Sequence, residues 1–224
     1  LTVEDPEYKE KMELLLDQLT LEDMEMMICN NNYKFAPIES IGFEGMTTGE
    51  GPQGLSAWMS GISGVNFPVA MMVAQTWNTD IVAQEARLFA REARAAGVGA
   101  YMAPATNIHR TPYSGRNFEY YSEDGVLSGK LAARQIQGCM DKGVFCFIKH
   151  FAVNEQETHR SVSGDSSYLT EQAMREIYLR SFEICVKEAR MTIDYIADEE
   201  GTHATKTMRA CTALMTSYNY IGAT

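Results

Sequence analysis

Four stretches of the chain concentrate side chains that can donate, accept or carry a proton. They are Gly49-Glu50-Gly51-Pro52-Gln53-Gly54, Asn107-Ile108-His109-Arg110 running on to Gly115-Arg116-Asn117-Phe118-Glu119, Lys149-His150 with Asn154 to Arg160, and Tyr218-Asn219. Arginine, lysine, histidine, amide and carboxylate with tyrosine nearby suit a ligand that carries many hydroxyls. Forked donors and paired acceptors satisfy neighbouring hydroxyls, while an aromatic face covers C–H groups. Other chemistries fit less well. The histidines His109, His150, His159 and His203 form no i, i+4 pair and no HExxH, so no metal site is expected. Gly97-Val98-Gly99 precedes a strand rather than following one, so it is not a dinucleotide fingerprint, and no cofactor is expected. Cys146 falls within a strand, where packing explains it better than nucleophilic chemistry.

These stretches need elements to hold them. Periodicity predicts helices over Asp5–Leu19, Thr79–Ala96, Asp124–Met140 and Thr170–Ala189, and a helix to about Cys29 that opens on a Thr20/Asp23 capping box. The seven glycines between Ile41 and Gly64 indicate a strand end and loop. Short apolar runs over Phe67–Ala74, Gly99–Ala103, Gly143–Ile148 and Ala213–Ser217 predict buried strands. Strands alternating with helices imply βα units and a parallel sheet, whose sites lie at the carboxyl ends of the strands. About eight strands make a full barrel, and roughly five are legible here. The expected fold is α/β: a partial TIM-like (β/α) barrel with flanking helices, or else an open doubly wound sheet.

Composition agrees with this class and narrows the partners. The 224 residues are 45% hydrophobic and 22% charged, enough for a core. Nineteen Lys and Arg against 30 Asp and Glu give a net charge of −11, a poor match for nucleic acid or an anionic membrane. No apolar run approaches the roughly 20 residues of a membrane helix. Five scattered cysteines without a CxxC pair are read as buried free thiols in a reducing compartment, which makes the cytoplasm the expected location. The chain starts at Leu1 instead of Met, which points to processing or truncation of the true start.

The loops also resemble glycoside hydrolase family 3, of the β-glucosidase type, over nearly the whole chain. Three runs carry the resemblance: Asn107-Ile108-His109-Arg110-Thr111-Pro112 with Gly115-Arg116-Asn117-Phe118-Glu119-Tyr120 and Ser122-Glu123-Asp124; Lys149-His150-Phe151-Ala152 with Asn154, Gln156-Glu157-Thr158 and Arg160; and Met215-Thr216-Ser217-Tyr218-Asn219. The resemblance implies a barrel that holds the terminal sugar of a β-glucoside or oligosaccharide in the −1 subsite. Arg116, Lys149, His150, Arg160 and Tyr218 would be its sugar-contacting residues. Glu50 stands where the family usually has an Asp before Gly-Pro, and it would contact the distal hydroxyls from a longer side chain. Asn117 and Glu119 have an alternative reading as loop ties, and Asn154 as a turn cap.

Retaining hydrolysis needs two carboxylates about 5–5.5 Å apart. The resemblance implies a nucleophilic Asp in a Ser/Thr-Asp-aromatic step on the strand after Tyr218-Asn219, and an acid/base in a separate domain. Neither motif occurs here: Asp165, Asp194 and Asp198 do not match it. The expectation is therefore an incomplete barrel domain over residues 1–224, with the nucleophile beyond Thr224 and the second α/β sandwich domain absent. Such a piece has no turnover alone, leaves a sheet edge unpaired and dissolves poorly. The alternatives are an inactive sugar-binding protein and one subunit of a split glycosidase. Between Ala189 and Ala213 the chain is longer than in many relatives, and a short helix is expected there. This is similar to the subgroup in which the sandwich domain precedes the barrel.

Overall fold

A computed structural model describes residues 3–29, 33–162 and 164–222. In chain order its elements are α1 (Tyr8–Leu16), α2 (Leu21–Cys29), β1 (Lys34–Phe35), β2 (Met46–Gly49), β3 (Gly54–Ala57), β4 (Ile62–Asn66), α3 (Ala70–Ala74), α4 (Thr79–Ala95), β5 (Val98–Tyr101), α5 (Gly125–Met140), β6 (Phe145–Phe151), β7 (Ser166–Ser167), α6 (Glu171–Ala173), α7 (Arg180–Glu188), β8 (Arg190–Ile196), β9 (His203–Arg209), β10 (Ala213–Thr216) and β11 (Tyr220–Ile221). A π-helical turn, Met174–Tyr178, links α6 to α7. The central sheet runs β1-β2-β5-β6-β10. Its last four strands are parallel, and β1 lies antiparallel to β2. The fold is a curled half-barrel, the partial (β/α) barrel expected.

The reasons are local. Thr20 and Asp23 close a reciprocal capping box: Thr20 N–H donates to Asp23 Oδ2 at 2.9 Å and Asp23 N–H to Thr20 Oγ1 at 3.1 Å. Asn78 caps α4 by accepting from the amides of Asp80 and Ile81. Gly97 stops this helix with φ +76°. Thr170 caps α6 through Ala173 N–H at 3.1 Å. Helices α4, α5 and α7 pack side by side over the sheet. The buried face of α4 is Val82, Ala83, Ala86, Phe89, Ala90 and Ala93, whereas Ile81 and Leu88, expected to share it, are exposed.

Three expectations change. Phe67–Ala74 is no strand: after Pro68 the chain turns into α3, which buries Ala70, Val73 and Ala74 at i, i+3 and i+4 while exposing Met71 and Met72. A short apolar run cannot by itself separate a buried strand from a buried helical turn. The fifth strand of the sheet is instead β1. Between Ala189 and Ala213 there is no helix but the β8–β9 hairpin, paired from Arg190↔Arg209 to Ile196↔His203. Glu4 holds its base at Arg190 and Arg209, and Asp5 holds its middle at Lys206. Cys29 is exposed, unlike the other four thiols.

Candidate functional site

The carboxyl ends of β2, β5, β6 and β10 each lead into one of the four polar stretches. Parallel pairing thus collects loops far apart in sequence onto one rim. Ala105, after β5, bridges both Tyr120 and Lys149. Thr106 N–H donates to Lys149 O at 2.7 Å and Lys149 N–H to Pro104 O at 3.0 Å, which fixes the β5 loop against the end of β6. Asn107, fully buried, clamps the next peptide: its Oδ1 accepts from His150 N–H at 2.7 Å and its Nδ2 donates to His150 O at 3.0 Å.

Arg116 and Glu119 face each other as two forks. Arg116 Nε donates to Glu119 Oε1 at 2.6 Å and Nη2 to Oε2 at 2.9 Å. Lys149 Nζ reaches the same carboxylate at 3.4 Å. Glu119 and Lys149 are each 6% exposed. Burial opposes the charge on all three groups. For Glu119 the cations outweigh burial and hold its carboxyl below the usual range. For Arg116 the Glu119 bond likewise wins, and its pKa is raised. For Lys149 burial prevails over Glu119, and its pKa is lowered.

His150 sits between Arg116 and Tyr120. Arg116 Nη2 lies 2.9 Å from Nε2, and Tyr120 Oη 3.3 Å from Nδ1. Burial, then the neighbouring Arg116, Lys149 and Arg160, depress the imidazole to about 2. Tyr120 Oη donates to Asn154 O at 3.2 Å, and Asn154 Nδ2 donates to Glu157 Oε1 at 3.2 Å. Arg160 Nη1 donates to the same Oε1 at 3.2 Å and lies 3.0 Å from Oε2. Its guanidinium lies over the Tyr218 ring, 5.2 Å from the centroid. Ser217 and Asn219 anchor that turn, both donating to Ala152 O.

Glu50 completes the rim. Its backbone pairs with Ser56 in both directions, and its carboxylate accepts from Tyr33 Oη at 3.0 Å. The following Gly51 has φ +102°, and a Cβ there would lie 2.0 Å from Gly54 O, so only glycine makes this turn. The buried Tyr101 hydroxyl donates to Gly51 O at 2.6 Å.

The structure therefore brings Glu50, Arg116, Lys149, His150, Arg160 and Tyr218 to one rim, through Glu119, Glu157 and shared electrostatic contact. Three cations, Arg116, Lys149 and Arg160, meet three carboxylates, Glu50, Glu119 and Glu157. Such a rim offers many donors and acceptors and little net charge.

A model of the N-terminal domain of glycosyl hydrolase family 3 matches residues 24–206. This chain belongs to glycosyl hydrolase family 3. Among its family 3 relatives, beta-glucosidase B of Emericella nidulans is 38% identical over 201 residues, 87% of this chain and 23% of that protein. Beta-glucosidase A of Butyrivibrio fibrisolvens is 41% identical over 159 residues, 70% of this chain and 19% of that protein. Among solved family 3 structures, beta-glucosidase 3B of Thermotoga neapolitana in complex with alpha-D-glucose superposes with a TM-score of 0.73 at 33% identity. The superposition covers 94% of this chain and 30% of that one. The family 3 beta-glucosidase of Bifidobacterium adolescentis gives 0.76 at 32% identity, covering 92% and 27%. The chain thus spans about a quarter of the curated relatives it matches.

Reading residues alone misses Tyr33, names Asn107, Tyr120 and Glu157 within its runs without giving them a role of their own, and takes Glu119 only as a loop tie. Glu119 had a visible signal, since three residues after Arg116 is one turn away and makes an ion pair. Tyr33 had none, because only the β1–β2 register brings it to the rim.

Proposed function

We propose that this chain builds the −1 sugar subsite of a β-glucosidase, which hydrolyses terminal non-reducing β-D-glucosyl residues with retention. The observation that carries this reading is the charge-balanced rim in which Arg116 and Lys149 are held by the buried Glu119, His150 by Arg116 and Tyr120, and Arg160 by Glu157. An uncharged polyhydroxyl ligand gains donors and acceptors there without introducing charge. Arg116 and Lys149 donate to ring hydroxyls, their positive charge maintained by Glu119. Glu50 accepts from distal hydroxyls, and Tyr218 presents its exposed ring at the edge. Neutral His150 keeps Arg116 in orientation and lines the same wall.

The two reacting carboxylates are supplied from outside this rim. Glu119 and Glu157 are engaged with cations, as befits a support for arginine and lysine rather than a nucleophile. Asp194 and Asp198 belong to the β8–β9 hairpin, remote in the topology from the strand ends. The reading is tested by titrating the chain with glucose in a calorimeter and assaying an aryl β-glucoside in parallel. Saturable glucose binding that is lost in Arg116→Ala, with no turnover by residues 1–224, is the expected result. No binding of glucose or any aldose overturns it.

A further inference from the structure

Tyr33 lies outside every run that carries the family resemblance, yet it is built into the rim as firmly as the residues within them. The β1–β2 pairing sets Lys34 opposite Thr47 and Phe35 opposite Met46, which brings Tyr33 level with Thr48. Thr48, 1% exposed, holds the Tyr33 carbonyl twice, from its N–H and its Oγ1, each at 2.9 Å. With its backbone fixed there, the Tyr33 ring reaches Glu50, two residues beyond Thr48, and donates to Oε1 at 3.0 Å. The receiving side is equally fixed, by the Glu50–Ser56 backbone pair and by Tyr101 on Gly51 O.

We propose that Tyr33 is a positioning residue that sets sugar specificity: its bond to Oε1 fixes the orientation of the Glu50 carboxylate, and Oε2 is the oxygen this carboxylate presents to its ligand. The inference rests on the −1 subsite reading above and concerns how that subsite chooses its sugar. Glu50 has one more rotatable bond than the aspartate usual at this place, and an unrestrained side chain would lose that freedom on binding. The Tyr33 bond removes it beforehand. Among the described residues nothing donates to Oε2, which leaves that oxygen for a ligand hydroxyl. The pair sits at the carboxyl end of β2, on the rim that the ends of β6 and β10 share with Lys149 and Tyr218. Burial, then the bond to Glu50, raise the Tyr33 phenol, so it stays a donor. An untethered carboxylate could turn to face either of two adjacent hydroxyls, whereas this one is aimed at a single hydroxyl through Oε2.

The test is a titration of the full chain with glucose and each monodeoxyglucose, for the wild type, Tyr33→Phe, Glu50→Gln and the double variant. In the wild type, one deoxy position should cost roughly tenfold in affinity through Glu50, with its neighbour tolerated. Tyr33→Phe should weaken glucose several-fold and spread the penalty over two adjacent positions. The double variant should bind no worse than Glu50→Gln alone, because the two residues act as one unit. A tyrosine titration followed by ultraviolet absorbance gives a readout independent of sugar: one raised phenol should vanish in Tyr33→Phe and return towards normal in Glu50→Gln. Melting temperatures within a few degrees of the wild type exclude a folding defect. If glucose binds but Tyr33→Phe leaves both affinity and the deoxy pattern unchanged, the inference is overturned while the subsite reading stands. If the wild type binds no aldose, both fall.

Discussion

Arg116 Nη2 and His150 Nε2 lie 2.9 Å apart, and this contact decides where the imidazole proton resides. A guanidinium only donates, so Nε2 accepts and the proton sits on Nδ1, facing Tyr120 Oη at 3.3 Å. Tyr120 in turn donates its hydroxyl hydrogen bond to Asn154 O. The chain of donors from Arg116 to Asn154 is consistent only with a neutral ring, which agrees with a pKa depressed to about 2 by burial and by Arg116, Lys149 and Arg160.

Nitrogen-resolved NMR of the imidazoles should show His150 as the neutral Nδ1–H tautomer throughout pH 5 to 8. An unfolded histidine takes up a proton near pH 6.5. The folded state refuses it, so this group lowers stability as the pH falls below 6.5. An imidazolium signal for His150 at pH 5 would contradict the contact.

Glu119 tests the other half of the cluster. Glu119→Gln leaves Lys149 and Arg116 without their shared counter-charge, and Lys149 is almost wholly buried. Breaking a buried pair costs about 3–5 kcal/mol. Arg116 retains 22% side-chain exposure and contact with Glu157, so a loss of about 2–3 kcal/mol is expected. The carboxyl is depressed in the folded state, so its contribution is present above the unfolded pKa and is lost as the pH falls through the folded one. The gap in melting temperature between variant and wild type should therefore narrow in acid. Sugar affinity should drop at least tenfold at neutral pH.

Where local chemistry suffices, the structure is legible in the chain. The Thr20/Asp23 box, the Thr170 cap, the Gly97 stop and the strands preceding Lys149 and Tyr218 all follow from adjacent residues. The legible parts of the site are the loops after those strands, because parallel pairing fixes which ends share a rim. Failures occur where a distant partner decides. Phe67–Ala74 is apolar enough for a strand, and only Pro68 with the burial of Val73 and Ala74 makes it a helix. Between Ala189 and Ala213 a hairpin stands where a short helix is expected, because the cross-strand pairs Thr192↔Thr207 and Asp194↔Thr205 decide it. Tyr33 and Asn107 gain their roles from register and from a buried peptide, neither of which leaves a trace in spacing.

Gly138 reports on the helical layer behind the site. A Cβ there would lie 2.6 Å from Ala83 O and 2.7 Å from Ala86 Cβ, where α5 crosses α4. Neither neighbour can swing aside, being backbone and a methyl on a helix. In an exposed helix, replacing glycine by alanine gains about 1 kcal/mol. Here overpacking costs about 1–3 kcal/mol, and the steric term should win. Gly138→Ala should thus lower the denaturation midpoint, whereas Gly→Ala at an open helical position raises it. An unchanged or raised midpoint would mean the two helices part more readily than this packing allows.

Glu155 gives the opposite sign from Glu119. The residue is 8% exposed, and no donor meets either carboxylate oxygen in good hydrogen-bond geometry. Burial raises it to about 7, against the smaller opposing influence of Asn107, nearby amides and Arg110. Because the folded state holds this proton between the unfolded pKa near 4.5 and about 7, the group lowers stability as pH rises across that window, and the loss is complete above it. A glutamine keeps the shape without the charge. Glu155→Gln should leave stability at pH 4 nearly unchanged and raise it at pH 8, by an amount on the order of 3 kcal/mol for a shift of this size. Denaturant melts of both proteins at the two pH values decide the matter. Equal gains at pH 4 and pH 8, or a loss at pH 8, would show that Glu155 is charged and well partnered in the fold.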